Sequence, residues 1–214
     1  MEQVEVGAST LRVVPMKERH VAGAVEVHIQ SFPGFFLTSL GPRFLRLMYS
    51  EILRSSGREA FVVEDGAGVV RGFVVGVAEQ VGLYTRLARQ CWAAFALASL
   101  GAAIRRPIVV PRLVRAFARP ASIRAGGAGA LLLSIGVAPE AAGQGLGREL
   151  VSRFLSSMKD RGVSAVSLTT DRDDNDRTNR FYLSLGFRVA RTYVTYEGRW
   201  MNEYVKDLGE RISQ

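Results

Sequence analysis

Residues 130–158 constrain the fold of this chain more than any other stretch. Leu131, Leu132, Leu133, Ile135 and Val137 make a near-continuous apolar run that ends at Ala138-Pro139, the pattern of a strand buried on both faces. Gly143-Gln144-Gly145-Leu146-Gly147-Arg148 follows. Leu146, Leu150, Val151, Phe154, Leu155 and Met158 then recur on one helical face, and Gly162 marks the helix end. A buried strand, a glycine-rich turn and an amphipathic helix in that order call for an α/β layout with the helix packed on the sheet. Such a turn points backbone N–H groups and the positive end of a helix at one spot, where pyrophosphate is the natural guest. It lacks the Lys-Ser/Thr of a Walker loop and the spacing of the dinucleotide fingerprint. On its own it is therefore either an anion site or a purely structural turn.

The remaining elements fit the same class. Leu11 to Pro15 is a short strand, and Lys17 to Gln30 carries Val21, Ala24, Val25, Val27 and Ile29 at helical recurrence. Ser31-Phe32-Pro33-Gly34 breaks that helix. A second spans Pro42 to Leu53, with Phe44, Leu45, Leu47, Met48, Ile52 and Leu53 on its apolar face. Phe61 to Glu64 and Val69 to Ala78 flank Asp65-Gly66-Ala67-Gly68, a hairpin signal. Val163 to Thr169 is a strand, Asp174 or Asn175 caps a helix running through Leu185, and Phe187 to Tyr196 and Trp200 to Lys206 are closing strands. Residues 80–128 interrupt this pattern and are expected to form a helical insertion within a single domain of residues 1–214.

Charge and composition narrow the partners. The chain has 214 residues and a net charge of +8, and the excess comes from one segment. Between Glu79 and Glu140 there is no acidic residue, while Arg86, Arg89, Arg105, Arg106, Arg112, Arg115, Arg119 and Arg124 are all basic. Such a patch suits a phosphorylated ligand, an anionic lipid surface or nucleic acid, or is simply a solvated basic surface. The apolar run Cys91 to Ile104 holds 14 residues, short of the roughly 18 needed to cross a bilayer, so peripheral membrane contact is the most this segment offers. Met1 to Thr10 carries two glutamates and no basic region followed by an apolar core, so no secretory signal is expected and the expected location is the cytoplasm. Cys91 is a lone cysteine in apolar surroundings and has no disulfide partner. His20 and His28 have no partners at ligand spacing, so no metal site is expected.

The turn gains specificity from what surrounds it. Ile135-Gly136-Val137-Ala138-Pro139-Glu140, the glycine turn, Asn175 and Phe181-Tyr182-Leu183-Ser184-Leu185-Gly186-Phe187 occur in that order at fitting intervals. In this the chain resembles the GNAT superfamily of N-acetyltransferases, strongly over about residues 129–189 and more loosely over 11–79. The resemblance implies a mixed, mostly antiparallel central sheet with helices on both faces, the insertion falling between the third and fourth strands. It also implies acetyl-CoA as co-substrate. Ile135, Gly136 and Val137 would meet the pantetheine arm through the main chain, Gly143, Gln144, Gly145, Leu146, Gly147 and Arg148 would cradle the pyrophosphate, and Asn175 and Tyr182 would flank the thioester end. The chain departs from the family at Ala142, where Arg or Gln is usual, and at Thr178, where a small residue is frequent.

Acetylating an amine requires loss of a proton, because an alkylamine with pKa near 10 is mostly protonated at neutral pH. Tyr182 is the expected proton donor to the departing sulfur. The strand Leu131 to Val137 contains no acid, its one polar side chain being Ser134. Glu79 and His28 are therefore the candidate bases, acting directly or through water. The expected acceptor is a small primary amine, such as an amino sugar or a nucleotide-linked amino sugar whose negative charge the arginines would meet, for a chain acting as monomer or homodimer. A protein amine is the nearest alternative. A non-catalytic acyl-CoA-binding module with a basic docking insertion is the reading from another class, and nucleic acid is not the expected partner.

Overall fold

The computed structural model describes residues 11–78 and 129–209. In chain order these form β1 (Arg12–Pro15), α1 (Val21–Ser31), α2 (Phe36–Ser39), α3 (Pro42–Arg54), β2 (Arg58–Glu64), β3 (Val70–Val77), β4 (Ala130–Val137), α4 (Leu146–Asp160), β5 (Ala165–Asp171), α5 (Asp176–Ser184), β6 (Arg188–Val194) and β7 (Trp200–Asp207). The seven strands make one sheet in the order β1-β2-β3-β4-β5-β7-β6. All neighbours are antiparallel except β4 and β5. The last strand therefore slots between β5 and β6, a crossing that the sequence pattern did not reveal. The short α2 was also missed, because Phe36-Leu37-Thr38-Ser39 is too brief to show a helical period.

Helices cover both faces. A Cβ built on Gly136 would meet Ser31 of α1, whereas one on Gly147 of α4 would meet Val137. Adjacent β4 residues thus face α1 and α4 on opposite sides, as strand alternation requires. The buried residues of α4, Leu146, Leu150, Val151, Phe154 and Met158, lie on one helical face, and this face packs on β2, β3 and β4. Burial of the hydrophobic face, more than helix propensity, holds this helix in place.

One irregularity shapes the sheet centre. Val75 pairs with Ser134 but Gly76 pairs with Leu132, so Leu133 is an extra residue on β4. Such a bulge bends its strand and increases local twist. Gly76 sits opposite: a Cβ there would lie 2.4 Å from the Phe154 ring and 2.5 Å from the Leu131 carbonyl oxygen. The absent side chain makes room for α4 to seat Phe154 over the bulge. The expected insertion 80–128 lies outside the described residues. Its flanks, Ala78 and Gly129, lie at the end of the sheet where β4 and β5 remain paired.

Gly76→Ala is expected to destabilise the protein by at least about 2 kcal/mol, since a backbone oxygen and a packed ring must both move. Gly66→Ala, with no atom within 4 Å of its added Cβ, is expected to stay within about 0.5 kcal/mol of the parent. Urea unfolding midpoints of the two variants check this.

Candidate active site

The two parallel strands at the sheet centre barely pair. Ala130 partners Val166 and Leu131 partners Ser167, and no further β4–β5 pairing follows. Beyond Leu131 the strands separate, and the gap opens into a cavity of about 1090 Å³. It passes through the sheet. One side is lined from α1, α2 and α3, the other from the glycine turn, α4 and α5.

The backbone of β4 lines one side of this gap. Ala138 N–H donates to the Arg71 carbonyl at 2.9 Å, and alternate residues of an antiparallel pair bond across it. Gly136 and Ser134 therefore turn their main-chain groups to β3, while Ile135 and Val137 turn theirs to the gap. The Val137 carbonyl accepts from the Ser31 hydroxyl at 3.3 Å, consistent with that alternation. Gly136 has a packing role as well: an added Cβ would lie 2.8 Å from Ser31 Oγ and 2.9 Å from the Phe73 ring.

Of the residues expected to contact acetyl-CoA, all but Gln144 line this cavity. Gly143 and Gly145 adopt φ of +82° and +79°, with open space where a Cβ would point, so the turn depends on glycine for its backbone angles. Gly145 is the N-cap of α4, and helix geometry leaves the N–H groups of Leu146, Gly147 and Arg148 without intrahelical acceptors. Arg148 donates to Ser184 of α5 at 3.0 Å, tying the turn to the opposite rim. Asn175 is the N-cap of α5, but its side chain does not cap the helix. Its amide nitrogen bonds Thr170 Oγ1 at 2.8 Å and the Asp171 carbonyl at 3.1 Å, which holds the end of β5 that has parted from β4.

Tyr182 is buried on α5, its ring meeting Phe181, Phe187 and Tyr204 at centroid distances of 5.3 to 5.8 Å. Burial, and then the neighbouring Tyr204, push its phenol pKa well above the ordinary tyrosine value. It stays protonated, and it lines the cavity.

His28 also lines the cavity, but deep in the protein, only 3% exposed. Its Nδ1 lies 2.7 Å from the Tyr49 hydroxyl, and its ring is surrounded by Phe32, Tyr49 and Phe73. Burial lowers its pKa to about 4, so it is neutral at neutral pH. Glu79, the other candidate base, lies outside the described residues. Tyr49, whose hydroxyl donates to Ser134 Oγ at 3.3 Å, is a site residue that did not stand out in the sequence. The available signal was a tyrosine among the core positions of α3, since a buried phenol needs a polar partner. The apolar wall of Phe32, Phe35, Phe36, Leu37, Met48 and Ile52 did not stand out as a cavity lining either.

The Acetyltransferase (GNAT) family profile matches residues 22–187. The chain belongs to the GNAT family of acetyltransferases. Among curated relatives, a mycothiol acetyltransferase from Frankia alni is 42% identical over 65 residues, 30% of this chain and 19% of that protein. The matched stretch thus spans about a fifth of the relative's length. Among solved structures, the ribosomal-protein-S18-alanine N-acetyltransferase from Escherichia coli superposes with a TM-score of 0.57 at 15% identity, covering 96% of this chain and 100% of that one. The spermidine/spermine N-acetyltransferase from Vibrio cholerae gives a TM-score of 0.54 at 13% identity, with 92% of each chain covered. At these identities the two structures share the fold. Among the described residues no helix is long and apolar enough to cross a membrane.

The lowered pKa of His28 has a consequence for stability. The unfolded chain binds a proton at His28 below about pH 6.5, whereas the folded protein resists it down to about pH 4. Stability contributed by the neutral ring is therefore present above pH 6.5 and lost as pH falls towards 4, on the order of 2 to 3 kcal/mol. His28→Gln is expected to flatten this slope, measured as urea unfolding free energies at pH 7, 5.5 and 4.5.

Proposed function

We propose that the protein transfers an acetyl group from acetyl-CoA to the primary amine of a small molecule, the two substrates entering the cavity from opposite faces of the sheet. The observation that carries this reading is the gap between β4 and β5. It has a glycine turn and a helix N-terminus at one end, main-chain groups of Ile135 and Val137 turned towards it along its wall, and the protonated phenol of Tyr182 beside it. The pyrophosphate would meet the N–H groups of residues 143–148, the pantetheine amides would pair with the β4 edge, and the thioester would come to rest near the bulge.

The acceptor would enter from the α1–α3 side. Its apolar wall disfavours an ammonium ion, because desolvation penalises the charged form and lowers an amine's pKa. The neutral amine nitrogen attacks the carbonyl carbon, the C–N bond forms and the C–S bond breaks. Tyr182 gives its proton to the departing sulfur and regains one from water, while the new amide nitrogen releases a proton to water. A thiol has a pKa of only about 8.5, so Tyr182 assists the departure rather than making it feasible. A small acceptor is favoured by the curated relative named mycothiol acetyltransferase.

Free-thiol release from acetyl-CoA with a panel of amino sugars, nucleotide-linked amino sugars, polyamines and peptides tests the reading. Steady turnover with a small amine is expected. Tight acetyl-CoA binding without turnover of any amine would make the chain a binding module, and turnover of peptides alone would exclude a small acceptor. Gly145→Val should weaken acetyl-CoA binding at least about tenfold by calorimetry, since a β-branched residue at positive φ deforms the turn. Tyr182→Phe should lower kcat by roughly ten- to a thousandfold with an unchanged acetyl-CoA dissociation constant.

A further inference from the structure

Three polar side chains form a line from the protein interior to the cavity wall. His28 of α1 meets the Tyr49 hydroxyl of α3 at 2.7 Å, and Tyr49 donates to Ser134 Oγ of β4 at 3.3 Å. His28 and Tyr49 are buried, Ser134 is half-buried, and all three line the cavity. Ser134 directly follows the bulged Leu133, at the point where β4 has left β5. Position and partners together ask what this line is aimed at.

The direction of the line follows from its hydrogens. With Tyr49 donating its one proton to Ser134 Oγ, it accepts from His28, whose proton then sits on Nδ1. His28 Nε2 is then a bare lone pair, and that atom is buried with no hydrogen-bond partner among the described residues. The opposite tautomer would strand an N–H donor there, and orphaned buried donors are rarer than under-satisfied acceptors. The chain thus runs His28 Nδ1–H to Tyr49 O–H to Ser134 O–H. Ser134, having accepted from Tyr49, keeps its own proton for an acceptor in the cavity. Each bond in such a series polarises the next.

We propose that Ser134 donates a hydrogen bond to the thioester carbonyl oxygen, and that Tyr49 and His28 are positioning residues that aim and polarise its hydroxyl. This rests on the acetyl-transfer reading above. As the amine lone pair forms the C–N bond, the carbonyl π pair moves onto oxygen, and the Ser134 O–H stabilises that charge without transferring its proton. Collapse restores the C=O bond as the C–S pair leaves with sulfur. Donors fixed where charge develops favour the transition state over the ground state, and a serine on a strand braced by two buried side chains needs little reorganisation.

The test uses acetyl-CoA labelled with carbon-13 at the carbonyl, and isotope-edited infrared spectra of the bound thioester. In the wild type the carbonyl band should lie below its position for free acetyl-CoA. Ser134→Ala and Tyr49→Phe should each move it back up while the calorimetric dissociation constant stays unchanged. With an amine identified from the panel, each variant should lose about tenfold in kcat, by the same factor at every pH, and the double variant should be no worse than the slower single one. A bound band that is identical in wild type and both variants overturns the proposal. So does a loss of kcat that disappears at alkaline pH, which would make the line a proton acceptor for the amine. Failure of the wild type to bind acetyl-CoA would instead sink the acetyl-transfer reading on which the proposal stands.

Discussion

The structure depends on one incomplete pairing. β4 and β5 are held together at two positions and then part, so backbone groups at the centre of a seven-stranded sheet are left for something other than a neighbouring strand. An unpaired main-chain edge inside a protein is costly unless it is satisfied. Here the gap is kept open from both sides. The bulge at Leu133 bends β4, Gly76 makes space for Phe154 to pack over it, and Asn175 holds the far end of β5 through Thr170 and Asp171. The cavity is built into the sheet, and an extended ligand with amide groups is a natural way to complete the missing ladder.

The two halves of that cavity differ in chemistry. The glycine turn offers N–H groups and the positive end of α4, a surface for negative charge. The opposite half, built from the end of α1, α2 and one face of α3, is aromatic and aliphatic. The His28–Tyr49–Ser134 line runs through this half. In the acetyl transfer proposed above, the turn would hold the charged carrier while the apolar side would keep an incoming amine neutral. Reactions between a neutral nucleophile and a thioester favour this division, because desolvation and fixed donors act at opposite ends of the reacting bond.

Much of this was legible in the chain. The apolar run of β4, the glycine turn and the apolar face of α4 identified themselves because buried strands and amphipathic helices imprint their periods on sequence. Element bounds came out within a few residues. Tyr182 and Asn175, singled out through resemblance, both line the cavity, and Asn175 uses its side chain to secure β5 and not to cap α5. Tyr49 was hidden because a phenol on a core face looks like any other aromatic until its hydroxyl partner is known. The position of β7 between β5 and β6 was hidden because hairpin signals report local turns, not strand order.

The sequence by itself determined which segments are strands and helices, where the glycine-rich turn lies and which family the chain belongs to, since each of these is a local pattern of apolarity, glycine or motif. Only the tertiary structure decided that β4 and β5 separate after two pairs, that Gly76 and Gly136 are fixed by what packs against them, and that His28, Tyr49 and Ser134 meet. Those three residues come from α1, α3 and β4, as many as 106 positions apart. Nothing local couples them: what brings a buried imidazole, a phenol and a hydroxyl into one line is the packing of α1 and α3 against each other and on one face of the sheet.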